Sequence, residues 1–304
     1  MAELFGLLGW ESTGKTYSIR NLPPQETFII QAGKDMLSVP NASEYYREAD
    51  AAKNNGYFNV IKRLDFKEIH TWINIVSEQM PHIKYLLIDD ITHQFTARTM
   101  NNAFIAEGND DNKRWSRWDT FGNQVYIDLL GAAIEAREDL NVIMTFHPEE
   151  VVVKGQTKIK IITPGSMLDR KVKIPSYFNC MLCTHVIPQS PDNPLPRSSR
   201  YVFITNDDGY YPAKMPIEIK GIVPNDIKPI IEAYRLNKLE GKPVPEELYE
   251  DPDALPQTIT EYTKELADRA REMRKEKMKA AAEAKKASQA DKAPAEATSA
   301  KSEA

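Results

Sequence analysis

Short apolar runs bounded by polar residues punctuate the first half of the chain. Leu4-Phe5-Gly6-Leu7-Leu8, Thr27-Phe28-Ile29-Ile30-Gln31, Tyr57-Phe58-Asn59-Val60-Ile61, Tyr85-Leu86-Leu87-Ile88 and Leu140 to Phe146 have the length and continuity of strands buried on both faces. Between them the apolar spacing becomes helical. Phe66, Ile69, Ile73 and Val76 form one such face behind Asp65 and Glu68, which read as an N-cap pair. Thr92 to Ala106 is helical in pattern, and so is Phe121 to Arg137, with Val125, Leu129, Ala132 and Ala133 on one face. Strands alternating with helices predict an α/β fold around a mostly parallel sheet.

The pattern then changes. Val151 to Ile162 alternates around Gly155, as a β-hairpin does. Cys180 to Ile187 and Arg200 to Thr205 read as an antiparallel pair joined by a Pro-rich loop from Pro188 to Pro196, and Ile217 to Val223 closes the core. Ile227 to Leu239 reads as one more helix, followed by a Pro- and Glu-rich linker from Gly241 to Pro256. Ile259 to Lys286 is a charged helix with few large apolar residues, a partner helix or a solvated arm. Ala280 to Ala304 is Ala/Lys/Glu/Ser low complexity, expected to be disordered. The expected organisation is a core over 1–223, a helix and linker over 224–258, and a charged helix and tail over 259–304.

The first strand runs into Gly9-Trp10-Glu11-Ser12-Thr13-Gly14-Lys15-Thr16, which fits G-x-x-x-x-G-K-[ST]. Lys15-Thr16-Tyr17-Ser18-Ile19-Arg20 can open a helix, stopped at Pro23 and Pro24. Strand, loop and helix together make the phosphate-cradling P-loop, so residues Gly9 to Tyr17 are expected to hold a polyphosphate. Leu86-Leu87-Ile88-Asp89-Asp90 is an apolar strand ending in carboxylates, the Walker B pattern. Asp89 is expected to hold Mg²⁺ opposite the Thr16 hydroxyl. His147 ends the strand Leu140 to Phe146, where a polar side chain can sense a terminal phosphate or serve as a structural histidine.

With 39 Lys and Arg against 44 Asp and Glu, the 304 residues carry a net charge of -5. No global basicity points to nucleic acid, so any such contact needs local patches. Two exist. Glu107 to Trp118 holds Lys113, Arg114 and Arg117 beside Trp115 and Trp118; cations next to exposed aromatic faces suit single-stranded nucleic acid, with Trp118 expected in the core. His147 to Lys173 holds Lys154, Lys158, Lys160, Arg170, Lys171 and Lys173. Cys180 and Cys183 are too few for a disulfide framework and read as strand residues. The chain starts straight into its first strand, and no apolar run reaches membrane-spanning length; a cytoplasmic protein is expected.

The loop Gly9-x-Glu11-Ser12-x-Gly14-Lys15-Thr16 resembles that of the RecA recombinases. The order of elements over Met1 to Val223 is also similar to a stripped-down RecA core, as in phage-encoded RecA-like P-loop ATPases, some of which are single-strand annealing proteins. The resemblance implies a Mg²⁺- and ATP-dependent ATPase of phage recombination or replication in the host cytoplasm. It implies single-stranded DNA bound by the two basic segments, and a filament or ring of identical subunits. Partners such as a single-strand-binding or other replication protein would dock on the C-terminal helix and tail. It also implies a cation reaching a neighbour's ATP. Lys171-Val172-Lys173 looks like that segment but precedes the antiparallel strands, whereas Lys214 falls in the better position. One departure stands out: Ile30-Gln31-Ala32-Gly33-Lys34-Asp35 lacks the glutamate that activates water in such enzymes. Asp90 and Glu149 are the substitute bases, with Lys15 and His147 completing the expected catalytic set. If neither serves, hydrolysis is slow and the chain works mainly as a nucleotide-gated binder. The alternatives are a nucleotide-gated scaffold or assembly protein, which the missing glutamate favours, and a P-loop small-molecule kinase.

Overall fold

The computed structural model describes residues 1–32, 37–49, 58–62, 64–188 and 200–249, together with most positions of 261–283. Gly33 to Asp35, Tyr57, the Pro-rich loop beyond Pro188 and the tail beyond 283 lie outside the described residues. Two compact units emerge, Met1–Val186 with Tyr201–Pro256, and Ile187–Arg200 with Gln257–Ala304. In the second, the Ile187 N–H donates to the Arg200 carbonyl at 2.8 Å, and the described positions of 261–283 are helical. Among the described residues no helix is long and apolar enough to cross a membrane.

The first unit is a mixed α/β structure on an eight-stranded sheet. Its strands are β1 (Glu3–Leu8), β2 (Thr27–Gln31), β3 (Val60–Lys62), β4 (Tyr85–Asp89), β5 (Asn141–Phe146), β8 (Cys180–Val186), β9 (Tyr201–Ile204) and β10 (Ile222–Pro224), in the order β10-β9-β8-β1-β5-β4-β2-β3. All pairs from β8 to β3 are parallel; β8–β9 and β9–β10 are antiparallel. β6 (Pro148–Val153) and β7 (Gln156–Ile161) form a separate hairpin. Its turn is Lys154-Gly155, both at positive φ (52° and 80°), as a two-residue hairpin turn requires.

Central strands buried on both faces explain the continuous apolar runs. On one face Phe5, Leu7, Ile29, Leu87, Ile143 and Leu182 share a core with Ile227, Ile230, Ile231 and Tyr234. The alternate residues Leu4, Leu86, Val142 and Met144 are equally buried and point to the opposite face.

The short helix α1 (Ala42–Tyr45) precedes α2 (Phe66–Gln79), which starts at a complete capping box of Asp65 and Glu68 and buries Phe66, Ile69, Ile73 and Val76. The stretch expected as one helix from Thr92 is two, α3 (Ile91–Thr99) and α4 (Asn102–Gly108), because the Asn101 side chain caps a new start. α5 (Ser116–Asn123) runs through a π-helical segment (Gln124–Gly131) into α6 (Ala132–Glu135). Ser166–Lys171 is α7, and Ile227–Tyr234 is α8, which supplies the core residues named above.

Register places the chemistry. Leu8 pairs with Phe146, Ile88 with Met144 and Gln31 with Asp89. The carboxyl ends of β1, β4 and β5 therefore lie level, and Gly9, Asp89 and His147 emerge at one edge. In open α/β sheets ligands bind at this edge.

Candidate functional site

The loop after β1 is tightly curved, with Ser12 and Gly14 at positive φ (60° and 95°). A side chain on Gly9 would overlap the Thr184 hydroxyl, and one on Gly14 would meet the Tyr201 ring at 2.8 Å, so both positions need glycine. Thr13 holds the loop from inside, its hydroxyl donating to the Trp10 carbonyl at 2.7 Å and lying 2.5 Å from the Thr184 hydroxyl. The expected helix after the loop is only a single 3₁₀ turn, Thr16–Ile19. The Arg20 N–H closes it on the Tyr17 carbonyl, and Pro23 follows too soon for a second turn.

Lys15 is folded back into the loop. Its Nζ donates to the carbonyls of Gly9 at 2.7 Å and Trp10 at 2.9 Å, and lies 3.5 Å from Nδ1 of His147. Burial lowers the Lys15 ammonium to about 8, against the opposing pull of Asp89, Asp90 and Glu11. An ammonium has three donors; two go to these carbonyls and the third faces Nδ1 of His147, so an incoming phosphate oxygen exchanges for one of these contacts.

Asp89 is buried at the end of β4. The Thr16 hydroxyl lies 3.2 and 3.1 Å from its two carboxylate oxygens, and Thr145 of β5 donates to it at 2.8 Å. Burial pushes the Asp89 carboxyl up, and the two hydroxyls oppose that rise. A buried carboxylate beside a threonine oxygen is a hard donor set that suits Mg²⁺. Among the described residues no three acidic, His or Cys side chains converge as a metal cage. Mg²⁺ is commonly held by one or two carboxylates plus phosphate and water, so the residues fit it.

Asp90 follows at φ 61°, where its carboxylate caps α3 by accepting from the His93 N–H at 3.1 Å. Thr145 accepts from the Asp90 N–H at 2.7 Å, so one hydroxyl ties both aspartates together. His147 Nε2 lies 3.6 Å from Asp90 Oδ1, and the His147 N–H donates to Thr92 at 2.9 Å. Burial first, then the Lys15 charge, lowers the His147 pKa and so favours the neutral ring. Nδ1 then accepts from Lys15, and Nε2–H faces Asp90. A cavity of about 480 Å³ opens here, walled by Trp10, Glu11, Asp90, Thr92, His93 and His147 among others.

Lys15, Thr16, Asp89, Asp90 and His147 are thus brought together. Glu149 points elsewhere: on β6, it pairs with Lys160 at 3.0 Å. Lys214 is exposed, with its Nζ on the Phe178 carbonyl at 2.8 Å, just ahead of the amino end of β8. Cys180 and Cys183 are free and buried within β8, and burial pushes both thiols up.

The two basic segments divide by engagement. Lys160 also pairs with Asp169 at 2.8 Å, Lys171 pairs with Asp119, and the Lys173 Nζ donates to the Asp169 carbonyl at 2.6 Å. Among the described residues Lys154, Lys158 and Arg170 make no ion pair. Arg117 turns inward, donating to the Phe104 carbonyl at 2.7 Å between the rings of Phe104 and Trp118. Trp118 packs on Phe104 and Phe121, whereas Trp115 is 63% exposed with Arg114 over its ring, and Lys113 lies 3.8 Å from Asp110. A second cavity of about 520 Å³, lined by Phe95, Phe104, Arg117 and Trp118 among others, shares Thr96 and Ile162 with the first.

Thr145, Thr92 and Thr184 were not legible as site residues. The available signal was a threonine inside an otherwise apolar strand, as in Val142-Ile143-Met144-Thr145-Phe146. No protein-family model matches the chain, and no curated protein matches it as a relative.

Proposed function

We propose that the chain is a RecA-type P-loop ATPase that binds Mg²⁺ and ATP and acts on single-stranded DNA in phage recombination or replication. The observation that carries this reading is the convergence of Lys15 Nζ, the Thr16 hydroxyl and the Asp89 carboxylate at one sheet edge, on a loop of P-loop sequence. Lys15 exchanges its long contact with His147 Nδ1 for an oxygen of the β- and γ-phosphates. Thr16 and Asp89 would hold Mg²⁺, which when bound supplies charge neutralisation to those oxygens. Asp90, on the cavity wall, takes the proton of a water whose oxygen attacks the γ-phosphorus as the β–γ bridging oxygen leaves with ADP. His147 touches both Lys15 and Asp90 and is placed to register which nucleotide is present.

Single-strand contact falls to Lys113, Arg114, Trp115, Lys154, Lys158 and Arg170, the members of the two segments least engaged by close partners within the chain. Assembly into a filament or ring, and docking of a replication protein on the C-terminal arm, belong to the same reading.

The second cavity gives one specific ground for the P-loop kinase alternative, since a small acceptor seated there would adjoin the site. Steady-state ATP hydrolysis with and without single-stranded DNA separates the readings. Stimulation by DNA supports the ATPase, and hydrolysis indifferent to DNA counts against it.

A further inference from the structure

Asn225 is 1% exposed, and neither its Nδ2 nor its Oδ1 has a hydrogen-bond partner. Native proteins leave few buried amides unpaired, and such a group calls for an explanation. Both atoms stand against the phosphate-type loop: a Cβ built on Gly14 would lie 3.3 Å from each. The residue sits where β10 ends, its N–H donating to the Tyr201 carbonyl at 3.0 Å. Tyr201 itself packs on Gly14 and on Tyr17, with ring centroids 5.4 Å apart, and is only partly covered. The Arg20 guanidinium lies 4.4 Å from the centre of the Tyr17 ring and reaches the Asn225 carbonyl.

These groups occupy the side of the loop opposite Asp89, Asp90 and His147. In the sheet, β4 and β5 flank β1 on one side, and β8, β9 and β10 lie on the other. A nucleoside triphosphate with its terminal phosphate at Asp90 and His147 therefore directs its nucleoside toward Tyr17, Tyr201 and Asn225. We infer that these three residues form a base subsite, and that the Asn225 carboxamide selects adenine. The inference rests on the phosphate-binding reading of the Gly9–Thr16 loop. A carboxamide presents one donor face and one acceptor in a plane, matching N7 and the N6 amino group of adenine; the same edge of guanine offers two acceptors. A tyrosine ring supplies the stacking surface. The Tyr201 ring and the amide both stand against Gly14, so a base that reaches the amide displaces that ring.

The test compares equilibrium binding of inorganic tripolyphosphate, Mg·ATP and Mg·GTP to the native chain, Asn225→Leu and Tyr201→Ala. Leucine keeps the volume and removes the two unpaired polar atoms, so the variant is expected to melt no lower than the native chain. Native protein is expected to favour ATP over GTP by about tenfold or more, the scale of one matched base contact. In Asn225→Leu that preference falls to about one, and in Tyr201→Ala ATP weakens about tenfold. Tripolyphosphate binding stays within about twofold in both, because the loop is untouched. A native chain that prefers GTP or neither overturns the assignment. So does an Asn225→Leu that keeps the preference, or one that fails to fold, which would make the amide structural. If tripolyphosphate binds the native chain but base selection is absent, the subsite fails alone. If none of the three ligands binds, the loop reading fails with it.

Discussion

Replacing Lys15 with methionine should change the pH dependence of stability in a specific way. The native ammonium is buried and lowered to about 8, whereas in the unfolded chain it titrates near the ordinary value of about 10.4. Below about pH 8 both states hold the proton, and the native state bears the full cost of a buried charge. Between about pH 8 and 10.4 the unfolded chain binds the proton and the native chain does not, so native stability rises with pH. Above that window neither state is charged. The gap corresponds to about 3 kcal/mol. Methionine keeps the packed stem but loses the hydrogen bonds to Gly9 and Trp10, together about 2 kcal/mol. Lys15→Met should therefore be about 1 kcal/mol more stable than the native chain at pH 7 and about 2 kcal/mol less stable near pH 10.5. Urea unfolding of both proteins at four pH values across that range measures the crossing. Parallel profiles would refute the claim that Lys15 is held charged against burial. A phosphate ligand restores the charge, so its binding near pH 8.5 should take up a proton, visible by calorimetry in two buffers.

Asp90→Asn should lower ATP turnover by about 10²-fold with nucleotide affinity retained, while Glu149→Gln, committed to Lys160, should change it little; the reverse ranking would move the base to Glu149. Thr145→Val leaves the Asp90 N–H unpaired and strips a hydroxyl from Asp89, so it should cost about 3 kcal/mol in urea unfolding and weaken Mg²⁺ dependence of nucleotide binding. A variant as stable as the native chain would show that the hydroxyl ties nothing together. Lys158→Ala should flatten the salt slope of single-strand binding by about 0.7, and Trp115→Ala should cost about 1–3 kcal/mol of that affinity without loss of stability. Anisotropy at two salt concentrations reads both, and unchanged binding in both variants would remove these segments from any DNA surface.

Much of this arrangement is legible in the amino-acid order. β1, β2, β4 and β5 appear as apolar runs because parallel strands are covered on both faces, and their polar ends mark the edge where Gly9, Asp89 and His147 emerge. The capping box at Asp65 and the turn at Lys154-Gly155 are local chemistry, so local sequence reveals them. Long-range contacts are not local and do not show. Glu149 and Asp90 look alike as acids at strand ends; only the hairpin register, which sets Glu149 opposite Lys160, separates them. The inward turn of Arg117 depends on a helix break at Asn101 that brings the Phe104 carbonyl within reach. The π-helical segment before Gly131 has no periodicity of its own. An added Cβ there would stand 3.0 Å from the Tyr126 carbonyl oxygen, so the glycine admits it.

The most direct measurement is ATP turnover by native protein and by Lys15→Ala, each with its fold checked by circular dichroism and its ATP affinity measured alongside. Lys15→Ala removes the ammonium together with its hydrogen bonds to the Gly9 and Trp10 carbonyls and a buried stem, which is why the fold is checked alongside. Native protein should bind and hydrolyse Mg·ATP, and folded Lys15→Ala should show no turnover. Hydrolysis by folded Lys15→Ala at the native rate, or a native chain that binds no ATP at millimolar concentration, would contradict the assignment of the Gly9–Thr16 loop.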